Sequence, residues 1–365
     1  MPHRTPLYSF HIDSGARMVD FAGWEMPLAY GSIIEEHNHT RTSAGVFDVS
    51  HMGRLNFDGP DAGRLLDHLV SRKLEDLPVG RSRYGLVCNE AGGVMDDVIV
   101  AHEETRWSMV CNAGNREKLL PHFADERDKL KLDCTITDKT FDTAMLALQG
   151  PKVMDKLAET FGEEVTQLKR FGFLTTSYMM MKFTFYRSGY TGEDGVEVVM
   201  SAKAAKLVIK AIGGNMQREE ATFKPAGLGA RDTLRIEAAL PLYGHELNEE
   251  TDPLTSGLGW AVNLDKPFVG RDAVLKVREA GQKYRLIGLV LEGKRQARQG
   301  QPVTFNGEGV VGHVTSGTLS PTLGKSIAMA LVETPHTNEG QTLSVDFKGK
   351  TVNAEVVKLP FYKRP

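Results

Sequence analysis

The sequence predicts an α+β protein with several domains and a C-terminal part built from strands alone. At 365 residues, the chain is too long for one ordinary hydrophobic core. Up to residue 280, strand-like and helix-like patterns alternate along the chain. Beyond Arg285, short apolar segments divided by Gly and Pro turns predict a small barrel or jelly-roll-like domain.

The composition argues against several classes of function. Hydrophobic residues make up 41% and charged residues 25%, which is typical of soluble globular proteins. The net charge of -3 shows that the chain has no excess of basic residues, which nucleic-acid-binding proteins usually have. No apolar run approaches the ~20 residues of a membrane span, and the N-terminus lacks a signal-peptide core. Cys88, Cys111 and Cys134 are widely spaced, which predicts reduced buried thiols and no zinc site. We therefore expect a cytoplasmic protein without a metal, a nucleic-acid partner or a membrane partner.

Local signals predict the first elements. Ser32 is placed to cap a helix that runs to about Thr42. In the apolar segment 44–53, a catalytic pairing of Ser50 with His51 is conceivable, but adjacent residues on a strand face opposite sides. We therefore favour a strand with a hydrogen-bonded edge for this segment.

The pattern of residues 53–138 predicts an α+β subdomain of several strands and two helices. Pro60 stands at the first turn of the first helix, where proline is well tolerated. A strand from Tyr84 to Asn89 then enters a turn that contains Gly92 and Gly93.

A pair of carboxylates interrupts the apolar strand that follows this turn. Because side chains alternate faces, Asp96 lies on the same face as Val94 and Val98, and Asp97 lies on the other face with its own apolar neighbours. Such a carboxylate is costly unless a hydrogen bond or a cation compensates it. Alternation does not distinguish Asp96 from Asp97, and a carboxylate that only binds backbone amides is the alternative to a functional site.

A glycine-rich stretch, residues 189–195, precedes a strand that carries another carboxylate. Glycines permit positive φ and close backbone approach. Glu197 shares its face with Val199. A ligand-binding loop and a glycine-rich hairpin with an edge glutamate are both compatible with this pattern.

Two arginines lie four residues apart on a helix that opens near Gly227. Arg231 and Arg235 share a helix face, where like charges repel each other, so both require an anionic partner. Internal ion pairs are the default interpretation, and a ligand carboxylate is the more specific alternative.

Several motifs together resemble one family. Along the chain these motifs are Thr5–Tyr8, Gly15–Phe21, Phe47–Met52, Gly92–Asp97, Gly189–Glu197, Gly229–Arg235 and Thr315–Pro321. In this order they resemble the aminomethyltransferase of the glycine cleavage system, the T-protein family. The resemblance covers essentially the whole chain.

The resemblance implies a reaction, partners and a fold. Members of this family move the carbon of an aminomethyl group from the lipoyl arm of the H-protein to tetrahydrofolate, which yields 5,10-methylenetetrahydrofolate and ammonia. The implied fold is a three-domain cloverleaf with folate in a central hole and no metal. We assign residues 1–52 with 140–280 to one α+β part, 53–139 to a subdomain with the catalytic Asp, and 281–365 to the β domain. We expect a monomer.

The resemblance also assigns roles to residues. Asp96, the first carboxylate of the pair, matches the catalytic aspartate. Glu197 matches the glutamate that binds the pterin, and Arg231 matches an arginine of the folate site. Further residues that the resemblance places on the folate side are Tyr84, Asn112, Tyr190, Tyr243, Trp260, Arg298 and Tyr362.

Three alternatives remain beside this interpretation. A folate-dependent demethylase on the same fold would share the folate motifs. A non-enzymatic folate-binding protein would not need Asp96. A plain structural or interaction module would bind no folate at all.

Overall fold

The computed structural model describes residues 1–216, 218–307 and 309–364. Glu308 and Pro365, which belong to the predicted C-terminal domain, lie outside the described residues. The strands are β1 (His3–Arg4), β2 (Arg17–Phe21), β3 (Trp24–Ala29), β4 (Ala44–Asp48), β5 (Gly53–Asp58), β6 (Arg81–Cys88), β7 (Val94–His102), β8 (Trp107–Cys111), β9 (Thr135–Asp138), β10 (Thr143–Gln149), β11 (Phe173–Tyr178), β12 (Met181–Tyr186), β13 (Gly195–Ser201), β14 (Phe223–Pro225), β15 (Tyr284–Leu291), β16 (Pro302–Thr304), β17 (Val310–Leu319), β18 (Ser326–Glu333), β19 (Thr342–Asp346) and β20 (Thr351–Val357).

The helices fall between these strands up to residue 280. They are α1 (Tyr8–Asp13), α2 (Ile33–Thr42), α3 (Ala62–Leu69), α4 (Arg116–Lys129), α5 (Val153–Phe161), α6 (Ala202–Met216), α7 (Leu228–Glu237) and α8 (Arg271–Ala280). The predicted cap of α2 is confirmed, because the Ser32 side chain accepts a hydrogen bond from Glu35 N at 3.4 Å. The alternation of helices and strands confirms the α+β class.

A six-stranded sheet carries the glycine-rich stretch. Its strand order is β11-β12-β13-β10-β4-β14. In this sheet Ala147 on β10 lies opposite Glu197 on one side and Phe47 on the other. Directly paired residues project to the same face of a sheet, so these three side chains form one row. A buried apolar cluster that includes Phe183, Phe185, α5 and α6 supports the sheet.

A five-stranded sheet, in the order β6-β7-β8-β5-β9, carries the carboxylate pair. The predicted turn before β7 is confirmed, with Asn89 N donating to Gly93 O and Gly92 N donating to Asn89 O, both at 2.9 Å. Gly92 adopts a φ of 84°, a conformation that side chains other than glycine rarely adopt.

The C-terminal strands form a closed barrel in the order β15-β18-β17-β16-β19-β20. This closure decides between the barrel and the jelly roll that the sequence left open. Its interior is apolar and is filled by residues such as Leu289, Val314, Ala330 and Val345. A closed sheet has no free edge strand, which protects a small β domain from pairing with other chains.

Contacts divide the chain into two compact units. Unit 1 comprises residues 1–65, 74–83 and 98–232, and unit 2 comprises residues 66–73 and 84–97 together with the chain from Thr233 onward. The predicted three-domain boundaries and the central hole remain predictions. Within the described ranges we find no helix with the length and apolar character that crossing a membrane requires.

Candidate functional site

The carboxylate pair lies in unit 2, at the start of β7. Val94 N donates to the carbonyls of Asn248 and Thr251, at 3.0 and 3.1 Å. A Cβ on Gly93 would collide with the carbonyl of Glu249. The lack of a side chain at Gly93 therefore allows the 248–251 segment to hold the strand where the two aspartates begin.

The two aspartates have different surroundings. Asp96 is fully buried, on the same face as Val94 and Val98, as alternation predicts. Asp97 lies on the half-buried face, where its Oδ2 accepts a hydrogen bond from the Tyr84 hydroxyl at 3.1 Å. The structure therefore brings Tyr84, one of the predicted folate-side residues, together with the second carboxylate of the pair.

An aromatic stack extends from Tyr84. The rings of Tyr84 and Trp260 stack with centroids 5.4 Å apart and an angle of 23° between their planes. The Arg72 guanidinium lies 5.4 Å from the Trp260 ring centroid, within the range of a cation–π interaction. Trp260 is 57% exposed, so this large aromatic face is accessible to a flat ligand.

Ser71 fixes the segment that carries Trp260. Its hydroxyl donates to Ala261 O at 2.8 Å and accepts from Leu86 N at 3.1 Å, next to Tyr84 on β6. Tyr84 and Tyr243 also pack against one apolar cluster around Leu86, Leu247 and Leu258. The stack is thus held by a buried serine and an apolar base.

Two further predicted residues of unit 2 lie in different settings. Arg298 is exposed, and its Nη2 donates to Gln296 Oε1 at 2.8 Å. Tyr362 donates its backbone N–H to the carbonyl of Glu237 at 2.8 Å. Their roles on the folate side remain predictions.

Glu197 occupies the middle of the six-stranded sheet in unit 1. The residue is 8% exposed, and its Oε2 accepts a hydrogen bond from the Ser188 hydroxyl at 2.6 Å. Oxygen lone pairs beyond this bond give the carboxylate capacity for further donors. Glu197 can therefore accept from the N–H groups of a ligand without losing its support from Ser188.

The glycine-rich loop before Glu197 is held by a buried glutamine. Gln149 donates to Ser188 O at 3.1 Å and accepts from the Thr191 hydroxyl at 2.9 Å. A Cβ on Gly189 would collide with this glutamine side chain. Arg187 pairs with Asp194 across the loop, with 2.5 Å between Nη2 and Oδ2.

Tyr190 and Arg231 come together in unit 1. The Arg231 guanidinium carbon lies 4.5 Å from the Tyr190 ring centroid, a cation–π contact. Asn112, also in unit 1, follows β8, and its carbonyl accepts from Asn115 N at 3.1 Å. Tyr190 and Arg231 thus form one pair, while the described contacts of Asn112 are with the start of α4.

Sequence reasoning missed the role of the turn that follows β4. The Asp48 carboxylate accepts hydrogen bonds from Thr5 Oγ1 at 2.6 Å, from His11 Nε2 at 2.8 Å and from Ser50 N at 2.9 Å. Burial alone would raise the pKa of Asp48, but these bonds hold it at about 2. Asp48 is therefore a buried anion that ties the N-terminal segment to the turn.

His51 lies at the tip of this turn and is 2% exposed. Among the described residues, none forms a hydrogen bond with its buried Nδ1. Burial, and then the charges of Arg231 and Arg54, lower the pKa of His51 to about 3, against the opposing effect of Asp48. His51 is thus an uncharged imidazole at neutral pH. The strand predicted for this segment ends at Asp48.

Acid is expected to destabilise the protein through His51. Its pKa is 6.5 in the unfolded chain and about 3 in the folded protein, so below pH 6.5 only the unfolded chain takes up the proton. Stability therefore falls as the pH drops from 6.5 towards 3, and the loss at pH 5 is about 2 kcal/mol. Urea unfolding at pH 7 and pH 5 should show a smaller pH effect for His51→Asn than for the wild type. An equal effect in both proteins would contradict this account.

Comparisons with known proteins identify the family. Residues 7–266 match the GCVT N-terminal domain, and residues 285–363 match the glycine cleavage T-protein C-terminal barrel domain. The second match coincides with the closed barrel of β15 to β20.

Curated relatives match over nearly the full length. An aminomethyltransferase of Rubrobacter xylanophilus is 47% identical over 99% of this chain and 94% of its own length. One of Thermotoga petrophila is 44% identical over 99% of this chain and 98% of its own length. Among solved structures, the glycine cleavage system aminomethyltransferase T of Bartonella henselae superposes with a TM-score of 0.92 at 32% identity, covering 100% of this chain and 99% of that one. The chain belongs to the aminomethyltransferase family, the T-proteins of the glycine cleavage system.

Proposed function

We propose that this protein transfers the methylene carbon of an aminomethyl-lipoyl group on the H-protein to tetrahydrofolate. The products are 5,10-methylenetetrahydrofolate, ammonia and a reduced lipoyl arm. The match of both family domains across nearly the whole chain carries this proposal. We also propose that the protein acts in the cytoplasm, as a monomer and without a metal.

Glu197 is the proposed acceptor for the pterin ring. A pterin edge presents adjacent N–H donors, and a carboxylate can accept two of them in one plane. The support for this role is the buried position of Glu197 and its single described hydrogen bond, from Ser188. Arg231, stacked on Tyr190, is the proposed cationic partner on the folate side.

The aspartate pair is the proposed acidic group of the reaction. As ammonia leaves and a folate nitrogen attacks the electrophilic carbon, positive charge develops at that nitrogen. A carboxylate beside it lowers the free energy of the transition state and can take up a proton. The resemblance assigns this role to Asp96, and Asp97, which accepts a hydrogen bond from the Tyr84 hydroxyl, is the alternative within the pair.

A coupled assay tests the proposal directly. The wild-type protein is supplied with aminomethylated lipoyl H-protein and tetrahydrofolate, and ammonia and methylenetetrahydrofolate are followed together. Folate-dependent release of both products is the expected result. Folate binding without turnover would support the demethylase or the non-enzymatic protein instead, and no folate binding would overturn the proposal.

Replacing Glu197 by Gln is expected to weaken tetrahydrofolate binding by about 10–100-fold, because a hydrogen bond to a charged group contributes about 1.5–3 kcal/mol. The amide keeps one oxygen, so Ser188 can still donate and the fold should be retained. Isothermal titration with tetrahydrofolate measures the effect. Glu193→Gln is unsuitable as a control because Glu193 forms a buried ion pair with Arg41, whereas Glu159→Gln on α5 is suitable because the ion pair of Glu159 with Lys156 is exposed. Unchanged affinity in Glu197→Gln would refute the assignment.

A further inference from the structure

Gln149 lies beneath the glycine-rich loop and is fully buried at the end of β10. Its amide nitrogen donates to Ser188 O at 3.1 Å and to Val196 O at 3.4 Å, and its amide oxygen accepts from the Thr191 hydroxyl at 2.9 Å. One side chain thus joins the two ends of the loop, and the second of these ends directly precedes Glu197. Because the amide has a donor end and an acceptor end, only one orientation of it satisfies these partners.

The backbone of the loop lies too close to this amide for side chains to fit between them. A Cβ at Gly189 would collide with the amide of Gln149, and a Cβ at Gly195 would lie 2.9 Å from its nitrogen. At the base of the loop, Gly150 N donates to Asp194 O at 2.8 Å. The two glycines therefore allow the backbone to close on Gln149, which holds the loop in one conformation.

The Ser188 hydroxyl transmits this restraint to Glu197. It donates a hydrogen bond to Glu197 Oε2 at 2.6 Å. The terminal torsion of a glutamate has a broad distribution, so the plane of its carboxylate is poorly defined without such a bond. A carboxylate accepts two neighbouring N–H groups well only if these groups lie in its plane. The position of Ser188 therefore decides how well Glu197 can accept from the edge of a flat ligand.

We propose that Gln149 is a positioning residue for folate binding, which acts through the Ser188 hydroxyl to set the plane of the Glu197 carboxylate. This inference rests on the proposed function, in which Glu197 accepts from the N–H groups of the pterin. Gln149 is fully buried under the loop, so it does not touch the ligand itself. Its contribution is that the carboxylate is already ordered when the chain has folded, so ligand binding does not have to order it.

Gln149→Met removes both ends of the amide and keeps a side chain of similar length. We expect this variant to bind tetrahydrofolate about tenfold more weakly, which is the size of one hydrogen bond. Turnover at saturating tetrahydrofolate and the KM for the H-protein should change by less than about threefold, because the reacting groups are unaltered. Ser188→Ala removes only a hydroxyl at a half-buried position, so it should fold and show the same loss of affinity.

Gln149→Glu provides a pH-dependent test of the hydrogen bond. A protonated carboxyl can donate to Ser188 O and accept from Thr191 as the amide does, whereas an ionised carboxylate cannot donate. Burial should raise the pKa of this carboxyl above the ordinary value of about 4.3. The tetrahydrofolate affinity of Gln149→Glu, divided by that of the wild type at the same pH, should therefore rise from about pH 8 to about pH 6. The same ratio for Gln149→Met should stay constant.

A double variant tests whether the effect passes through Ser188. In the Ser188→Ala background, Gln149→Met should weaken binding by less than about a further threefold, because the hydroxyl through which it acts is gone. Phe123→Leu on α4 is the control for a general loss of stability. Phe123 is fully buried and its ring packs against Phe57, so this variant should lower the melting temperature without changing the affinity for tetrahydrofolate.

Calorimetric titration with tetrahydrofolate, initial rates and melting curves of these variants decide the question, and Ser188→Ala with Gln149→Glu decide it if Gln149→Met does not fold. Wild-type affinity in Gln149→Met and Ser188→Ala would overturn the inference and leave the proposed function intact. Losses that fully add in the double variant, or an affinity ratio of Gln149→Glu that is independent of pH, would overturn it as well. An equal loss of affinity in Phe123→Leu would do so by showing that lowered stability is the cause. Failure of the wild type to bind tetrahydrofolate would overturn the proposed function and, with it, this inference.

Discussion

Replacing Asp96 by Asn is expected to lower turnover by about 10²–10⁴-fold and to change folate affinity much less. The substitution keeps the size of the side chain and leaves Asp97 in place to accept from the Tyr84 hydroxyl, so the Tyr84–Trp260 stack should persist. What it removes is the negative charge that we propose lies beside the nitrogen on which positive charge develops during transfer. That charge matters in the transition state more than in the bound ground state, so the loss should fall on turnover.

Asp97→Asn is the matched experiment, because the two carboxylates are adjacent on one strand and the amide oxygen can still accept from the Tyr84 hydroxyl. Asp96 is fully buried, so its replacement is also expected to change the free energy of unfolding by about 1–3 kcal/mol. Initial rates with saturating H-protein and varied tetrahydrofolate, together with melting curves, separate the two outcomes. A large loss of turnover in Asp96→Asn with a nearly active Asp97→Asn would establish the assignment that the resemblance makes. Equal losses of binding and turnover would identify either residue as a ligand clamp.

Local sequence signals predicted those elements that depend on a few neighbouring residues. The Ser32 cap, the turn from Asn89 to Gly93 and the start of an all-β region near Arg285 all have short-range causes. Closure of the barrel has no such short-range cause, because β15 pairs with both β18 and β20. The pairing of strands so distant in sequence depends on packing that no local pattern contains.

The candidate site shows the same limit. Alternation correctly placed Asp96 with Val94 and Val98, but only the structure shows which carboxylate meets Tyr84. His51 could not be recognised from the sequence, because its uncharged state arises from burial and from arginines distant in the chain. The pair of arginines on α7 was predicted to need anions, but the identity of the partners required the fold.

Arg235 has the internal ion pair that was the default expectation. It is 1% exposed, and its Nη1 lies 2.9 Å from Oε2 of the fully buried Glu246. Its Nη2 donates to the Ser316 hydroxyl on β17 at 2.8 Å, and Glu246 also accepts from Leu242 N at 3.0 Å. Two residues further along, Glu237 makes a similar link, because its carboxylate accepts a hydrogen bond from the Thr322 hydroxyl. The end of α7 is thus joined to the segment 315–322 by buried charges within unit 2.

Replacing Arg235 by Met is expected to reduce the free energy of unfolding by about 3–5 kcal/mol, because Glu246 is left as an uncompensated buried charge. Adding Glu246→Gln should recover much of this loss, since the amide is neutral and can still accept from Leu242 N. Arg278→Met, at an exposed position on α8, is the control for loss of an arginine and should change stability by less than about 0.5 kcal/mol.

Urea unfolding of the wild type, both single variants of this pair, the double variant and the control gives the interaction free energy between Arg235 and Glu246. A buried ion pair adds little net stability over neutral residues. A double variant nearly as stable as the wild type would therefore mean that the pair serves mainly to fix the register of α7 against segment 315–322. Losses that simply add would contradict a direct interaction. In that case each loss of stability would come from the cavity at the substituted site. Adding Ser316→Ala to Arg235→Met would then leave the stability unchanged.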